Sequence, residues 1–358
     1  MTLGRNVMFK KLASKLMFTL GILVILIAAT PFDELAVTSS PGGWTKYAGN
    51  PVLNVNTTGN WDDKEIWSPS VIFDGNMYKM WYTGDRGSIP RRIGYATSPD
   101  GISWTRYSSN PVLDLGTTGA WDETAVYFTS VISDTGIYKM WYTGLNAASK
   151  NRIGYATSPD GITWTKYAGN PVLNLGATGS WDSSSVASPF VLKVGSIYKM
   201  WYRGNGNVRV SIGYATSPDG INWTKYGAGP VLNPSPAGNW DYLVYSSSVI
   251  FDGSKYHMWY SGQNYPGTAA EIGYAISTDG INWEKRGRVI PQGPDGSFDR
   301  YSADYPAVVL TSGMFKMWYS GYSSADANGY YRIGYASAPL LDLSYTAYLP
   351  LASALLHK

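Results

Sequence analysis

Across 358 residues the chain has no cysteine, two histidines, 40 glycines and 15% aromatic residues, but only 15% charged ones. This excludes a disulfide frame or thiolate metal site, argues against a histidine-based metal centre or any cofactor built on one, and favours strands and tight turns over helices. Four of the 28 basic residues lie in the first 30, which leaves 24 against 25 acids in the rest; the formal charge of +3 therefore describes no phosphate-tracking surface, and no nucleic-acid partner is expected.

In chain order, Arg5, Lys10, Lys11 and Lys15 precede an apolar run, 16–29, that carries no acid. A basic start, a short apolar run and small residues at its end describe an export signal. The run is short for a membrane span, which needs roughly 20 residues. Residues 1–30 are thus expected to be a signal peptide or, if retained, an anchor. The protein would be secreted or extracytoplasmic, and a membrane would be a partner only through this segment. Residues 31–43 are a linker.

From Trp44 onward three markers recur. Met-Trp-Tyr stands at 80–82, 140–142, 200–202, 258–260 and 317–319. Ile-Gly-Tyr-Ala stands at 93–96, 153–156, 212–215, 272–275 and 333–336. Trp-Asp stands at 61, 121, 181 and 240, with Phe298-Asp299 as a fifth variant. A period of 58 to 60 residues marks a propeller or array. The second unit predicts strands at 129–133, 137–143, 153–157 and 162–167, with the last two joined through Asp160-Gly161, a hairpin signal. The fifth unit stops after its third strand, and the chain opens on Trp44-Thr45-Lys46-Tyr47, a fourth strand without the first three. The expected fold is all-β: a five-bladed β-propeller of four-stranded antiparallel blades spanning 44–339, with the ring closed by the N-terminal strand. A C-terminal tail, 340–358, follows; its apolar part, 348–355, is too short to span a membrane.

Fourteen of the fifteen tryptophans occupy repeated positions and are packing residues; the remaining one is Trp67. The turns on one face, called bottom, are monotonous Asp-Gly turns. The opposite, top loops differ in length and chemistry, and loops at one end of a rigid scaffold are where binding residues sit. Repeat identity also collapses at the starts of the innermost strands, where Trp67, Tyr127, Ala187, Tyr245 and Asp304 are counterparts. Three aromatics and an acid around a channel mouth suit a sugar, whose ring faces stack and whose hydroxyls bond to acids. Asp62, Asp122, Asp182, Asp241 and Asp299 repeat and are expected to cap a loop. The acids that do not repeat on the top face include Glu65, Glu123, Asp85 and Asp304, and the top loops also carry Arg86, Arg91 and Arg209.

The text from 153 to 173 and the WSPSVIFDG stretch from Trp67 resemble the five-bladed propeller glycosidases and glycoside phosphorylases of families 43, 32, 68, 62 and 130, most closely 130 and 32. The resemblance covers Trp44 to about Pro339. It implies a glycan-binding funnel at the propeller axis and three acids near the inner-strand starts of consecutive blades, positions occupied here by Asp304, Glu65 and Glu123. It also implies roles: Asp304 as base, Glu65 or Glu123 as acid, and Arg86, Arg91 and Arg209 for phosphate in a phosphorylase. The Asp-Pro pair of those families is interrupted here by Tyr305. The sequence therefore predicts an exported carbohydrate-active propeller with a glycan partner. The alternative is a non-catalytic lectin-like or surface interaction propeller.

Overall fold

The computed structural model describes residues 43–340 apart from 88–89, 228, 268 and 324–329. The export segment, the linker up to residue 42 and the tail beyond Leu340 lie outside the described residues. Twenty β-strands and no α-helix occur among the described residues. After β1 (Thr45–Lys46) come β2 (Glu65–Phe73), β3 (Tyr78–Asp85), β4 (Arg92–Ser98) and β5 (Thr105–Arg106), paired antiparallel in that order. The arrangement repeats in β6 (Ala125–Asp134), β7 (Ile137–Leu145), β8 (Asn151–Ser158) and β9 (Thr165–Lys166). It repeats again in β10 (Ser185–Val194), β11 (Ile197–Asn205), β12 (Ser211–Ser217) and β13 (Thr224–Lys225).

The remaining strands are β14 (Leu243–Phe251), β15 (Tyr256–Gln263), β16 (Ala270–Ser277), β17 (Glu284–Ile290), β18 (Ser302–Thr311), β19 (Met314–Ser323) and β20 (Tyr330–Pro339). With β1 they form an eight-stranded sheet built of two four-stranded antiparallel units, which a single parallel pair joins, Ala270 with Ser302. β1 is the fourth strand of the last unit: Thr45 lies opposite Ser337 and Lys46 opposite Ala336.

The strand starts differ from the sequence expectation in an instructive way. The inner strand β6 begins at Ala125, four residues early, and the outer strand β9 is only Thr165–Lys166. The outer strand is short because the turn before it is long. Asp160 Oδ1 accepts the N–H groups of both Ile162 and Thr163, at 2.8 and 2.7 Å, and so holds those residues out of the ladder.

Both faces of each sheet are covered, so Met-Trp-Tyr is buried at all three positions in every unit. The tryptophan reaches the following sheet. Trp81 Nε1 donates to Gly161 O, Trp141 to Gly220 O, Trp201 to Gly280 O, and Trp318 to Gly101 O, at 2.7–2.9 Å. The lysine before Met-Trp-Tyr does likewise: Lys79 reaches the Tyr138 hydroxyl, Lys139 that of Tyr198, and Lys316 that of Tyr78. Between the fourth and fifth units this pair is replaced by His257 against Phe315, ring against ring.

The repeated aspartates act across their own sheet. Asp62 accepts the Tyr82 hydroxyl and the Arg106 guanidinium. Asp122 takes Tyr142 and Lys166, Asp182 takes Tyr202 and Lys225, and Asp241 takes Tyr260 and Lys285. In the last unit Asp299 takes Tyr319 and, from β1, Lys46 at 2.6 Å. Lys46 thus fills the place that Arg106, Lys166, Lys225 and Lys285 fill elsewhere. Hydrogen bonds to a buried charge contribute about 1.5–3 kcal/mol each. Lys46→Met should therefore lower the unfolding free energy by about 2 kcal/mol, close to the loss from Lys166→Met, in urea titrations. A near-zero effect for Lys46→Met beside a large one for Lys166→Met would contradict this equivalence.

Candidate functional site

Each inner strand breaks register near its start. The shifts fall at Trp67/Ser70, Tyr127/Ser130, Ala187/Phe190, Val244/Ser247 and Asp304/Ala307. At four of these bulges one residue has a left-handed backbone: Ser68, Phe128, Ser188 and Tyr305, with φ of 48–51°. Such a backbone is unfavourable for a side-chain-bearing residue. It is held by the preceding sheet, where a hydroxyl accepts the bulge N–H. Ser320 holds Ser68, Thr83 holds Phe128, Thr143 holds Ser188 and Ser261 holds Tyr305, at 2.8–3.1 Å. The residue just before each bulge is the non-repeating one of the sequence: Trp67, Tyr127, Ala187 and Asp304, with Tyr245 in the remaining unit.

Trp67, Tyr127 and Phe128 pack with Ala125 and Ala187 into one buried cluster, flanked by Tyr305 and Tyr331. Trp67 meets Phe128 edge-on at 4.8 Å and Tyr305 at 5.3 Å, between ring centres. The Arg91 guanidinium covers the Trp67 and Tyr127 rings at 5.3 and 5.4 Å. Trp67 is 6% exposed and packed against the Phe128 and Tyr305 rings. Phe128, which the sequence reading passed over, is its nearest ring. Trp67→Ala should cost about 3–5 kcal/mol of stability, as aromatic truncations in cores do, read as a fall in Tm. Unchanged stability with lost glycan affinity would instead make Trp67 a sugar platform.

Beside the cluster lies a cleft of about 140 Å³ lined by Arg203, Leu243, Tyr245, Ser302, Asp304, Tyr305 and Tyr331, among others. Asp304 is 2% exposed. Its Oδ2 accepts the Tyr245 hydroxyl at 3.0 Å, the Ser302 hydroxyl also acts on the carboxyl, and its Oδ1 is buried. Burial pushes the Asp304 carboxyl up to about 7, against the opposing pull of the Tyr245 and Ser302 hydroxyls. Glu65 begins β2 opposite Asp85 on β3. Burial, then the Asp85 carboxylate, push the Glu65 carboxyl up to about 7 as well, and Arg91 opposes them. Asp85 itself is fully buried, accepts the Gly87 N–H, and is paired with Arg91 at 3.3 Å.

The other predicted site residues lie elsewhere. Both oxygens of Glu123 are held by loop amides, Gly119 N at 2.6 Å and Ala147 N at 3.1 Å. Asp63, its counterpart one unit earlier, accepts Gly59 N in the same way. Arg86 sits largely exposed 3.7 Å from Asp63. Arg209 stacks on Tyr242 at 4.3 Å and donates to Ser235 O. Tyr127 donates to Asn151 at 2.6 Å. The structure therefore gathers Asp304 and Tyr245 around the cleft, and Glu65, Asp85 and Arg91 around a second acid. It leaves Glu123, Arg86 and Arg209 on the loops.

It also places one residue that sequence reasoning missed. Arg203 follows Met200-Trp201-Tyr202 where the other units have Thr83, Thr143, Ser261 and Ser320. That single departure inside the most repeated phrase of the chain was its signal.

A buried acid, Asp304, and a half-buried one, Glu65, both with raised pKa, give stability a defined pH dependence. Each holds its proton in the folded state to about pH 7 and loses it near pH 4 when unfolded. The folded state thus binds more protons between those limits, so stability falls as pH rises from about 4 to about 7, by at most about 1.4 kcal/mol per pH unit for each group, and is flat above. Asp304→Asn should flatten part of this slope in unfolding titrations across that range; an unaltered slope would show that Asp304 titrates normally.

No family model matches the chain. An uncharacterized protein of Mycobacterium tuberculosis, Rv1502, is 30% identical over 228 residues, covering 60% of this chain and 73% of that one. A 1,2-beta-oligomannan phosphorylase of Thermoanaerobacter sp. is 29% identical over 255 residues, covering 68% of this chain and 77% of its own. Among solved structures, a glycoside hydrolase superposes with a TM-score of 0.66 over 80% of this chain and 90% of its own, at 20% identity, a likeness of fold.

Proposed function

Because the chain belongs to one family with the Mycobacterium tuberculosis protein Rv1502 and has the fold of glycoside hydrolases and phosphorylases, we propose that it is an exported enzyme that cleaves a glycan in the cleft at Asp304. The observation that carries this reading is the Asp304 carboxyl, buried beside Tyr245 in the lining of a cleft. A carboxyl buried in the lining of a cleft with no cation paired to it is costly to fold around. That expense is expected at a working site and not in a packing scaffold.

The architecture in this proposal is a five-bladed ring over 44–339 closed by β1. Its support is the run of equivalent contacts from the fifth unit to the first: Trp318 to Gly101, Lys316 to Tyr78, and Ser68 to Ser320. Lys46 on Asp299 gives the same support within the last unit. Export rests on the basic and apolar start of the sequence.

In the reaction, Glu65, whose carboxyl is pushed up by burial and by the Asp85 carboxylate, gives its proton to the leaving glycosidic oxygen as the C1–O bond breaks. Water attacks C1 and passes its proton to Asp304. Two carboxyls poised near neutrality divide these roles, one protonated and the other ionised. Glu123 is assigned to its loop.

The test is a screen of oligosaccharides and aryl glycosides on the chain without its first 30 residues, with product analysis. Asp304→Asn should reduce turnover at least about a hundredfold, the low end of general acid–base contributions, while glycan binding survives. Binding of glycans with no cleavage of any would overturn the enzymatic reading.

A further inference from the structure

Arg203 is out of place in its own repeat. In the four other units this position holds a hydroxyl that accepts the N–H of the next inner-strand bulge. A guanidinium has no acceptor to offer. The third unit therefore gives up the hydrogen bond that would reach Ser246, and places a cation beside the cleft instead. No carboxylate among the described residues pairs with that cation. Its Nε is buried with no hydrogen-bond acceptor, and Arg203 forms no ion pair among the described residues. Its nearest favourable contact is the Tyr245 ring, 5.9 Å from the guanidinium carbon.

Asp304 lines the same cleft, yet the two are not within ion-pair distance, and Asp304 spends its Oδ2 on Tyr245. One cleft of about 140 Å³ is thus lined both by a buried carboxyl and by a guanidinium that no carboxylate among the described residues pairs. Arg91, the other cation of this region, is already paired with Asp85.

A ligand that serves both groups sets a sugar ring against Asp304 and an anion on Arg203. A neutral sugar supplies only the first, and a charge-assisted, forked contact is what guanidinium provides best. Resting on the glycan-cleaving reading, we propose that the substrate is an acidic glycan, and that Arg203 binds the carboxylate of a uronic-acid residue seated against Asp304.

The experiment measures calorimetric binding of uronic-acid oligosaccharides, each paired with its carboxyl-reduced neutral counterpart, to the wild type, Arg203→Thr and Arg203→Lys, with inorganic phosphate in a parallel titration. The wild type should bind one acidic member at least about tenfold more tightly than its neutral partner, the worth of one charged hydrogen bond. Arg203→Thr should lose that preference and Arg203→Lys keep part of it. Threonine restores the hydroxyl of the other units, so the Tm of Arg203→Thr should equal or exceed that of the wild type; a fold-wide collapse is thereby separated from a lost contact. Equal binding of acidic and neutral members overturns the carboxylate assignment and leaves the glycan reading standing. So does Arg203-dependent binding of inorganic phosphate alone, which assigns the anion to a free co-substrate. If no glycan of either kind binds, the glycan reading itself falls, and this proposal with it.

Discussion

The hydrogen bond from an inner-strand bulge to a hydroxyl on the preceding sheet is the constraint on which the site depends. A left-handed residue in a strand costs about 1–3 kcal/mol, and it recurs at Ser68, Phe128, Ser188 and Tyr305. Thr83, Thr143, Ser261 and Ser320 hold it in place. The bulge bends the strand and re-aims the side chains on either side of it. Asp304 is thereby set against Tyr245, while Phe128 and Tyr305 are turned onto Trp67. Tyr305 lines both the small cleft and a larger, mostly apolar cavity of about 430 Å³ between the inner strands. The same local device thus packs the aromatic cluster and places the acid beside it.

Much of the fold was legible because the chain repeats itself. The Met-Trp-Tyr and Ile-Gly-Tyr-Ala markers located the second and third strands of every unit, and Asp-Gly located the turns. The short strand at Thr45 did what a fourth strand does and paired with β20. The roles of the repeated aspartates were less legible. Asp62 and its equivalents look like loop caps in sequence, but their partners lie some 20 and 43–44 residues downstream, and for Asp299 the lysine comes from the far end of the chain. Tertiary pairing of that range leaves no local pattern.

The site was legible in part, and for the same reason. Asp304, Tyr245 and Glu65 were visible as breaks in the repeat at strand starts. Glu123 was a break of a different kind: Gly119 lies four residues before it, as Gly59 lies before Asp63, and that spacing marks a carboxylate that closes its own loop. Trp67 was singled out because it was unique, yet uniqueness did not make it exposed. Arg203 was overlooked because it stands inside the most conserved-looking phrase among the units, where attention went to the tryptophan. Comparing each repeated position for its odd member, hydroxyl against guanidinium, would have found it.

The account centres on Asp304 as a buried carboxyl that titrates near neutrality and meets the glycan. The most direct measurement is the carbon-13 carboxyl titration of Asp304, identified by the resonance missing in Asp304→Asn, with and without a bound oligosaccharide. The account predicts a midpoint close to 7 that moves when the glycan binds, since the ligand changes both the burial and the hydrogen bonding of the group. A midpoint near 4, or one near 7 that is indifferent to every glycan bound, would contradict it.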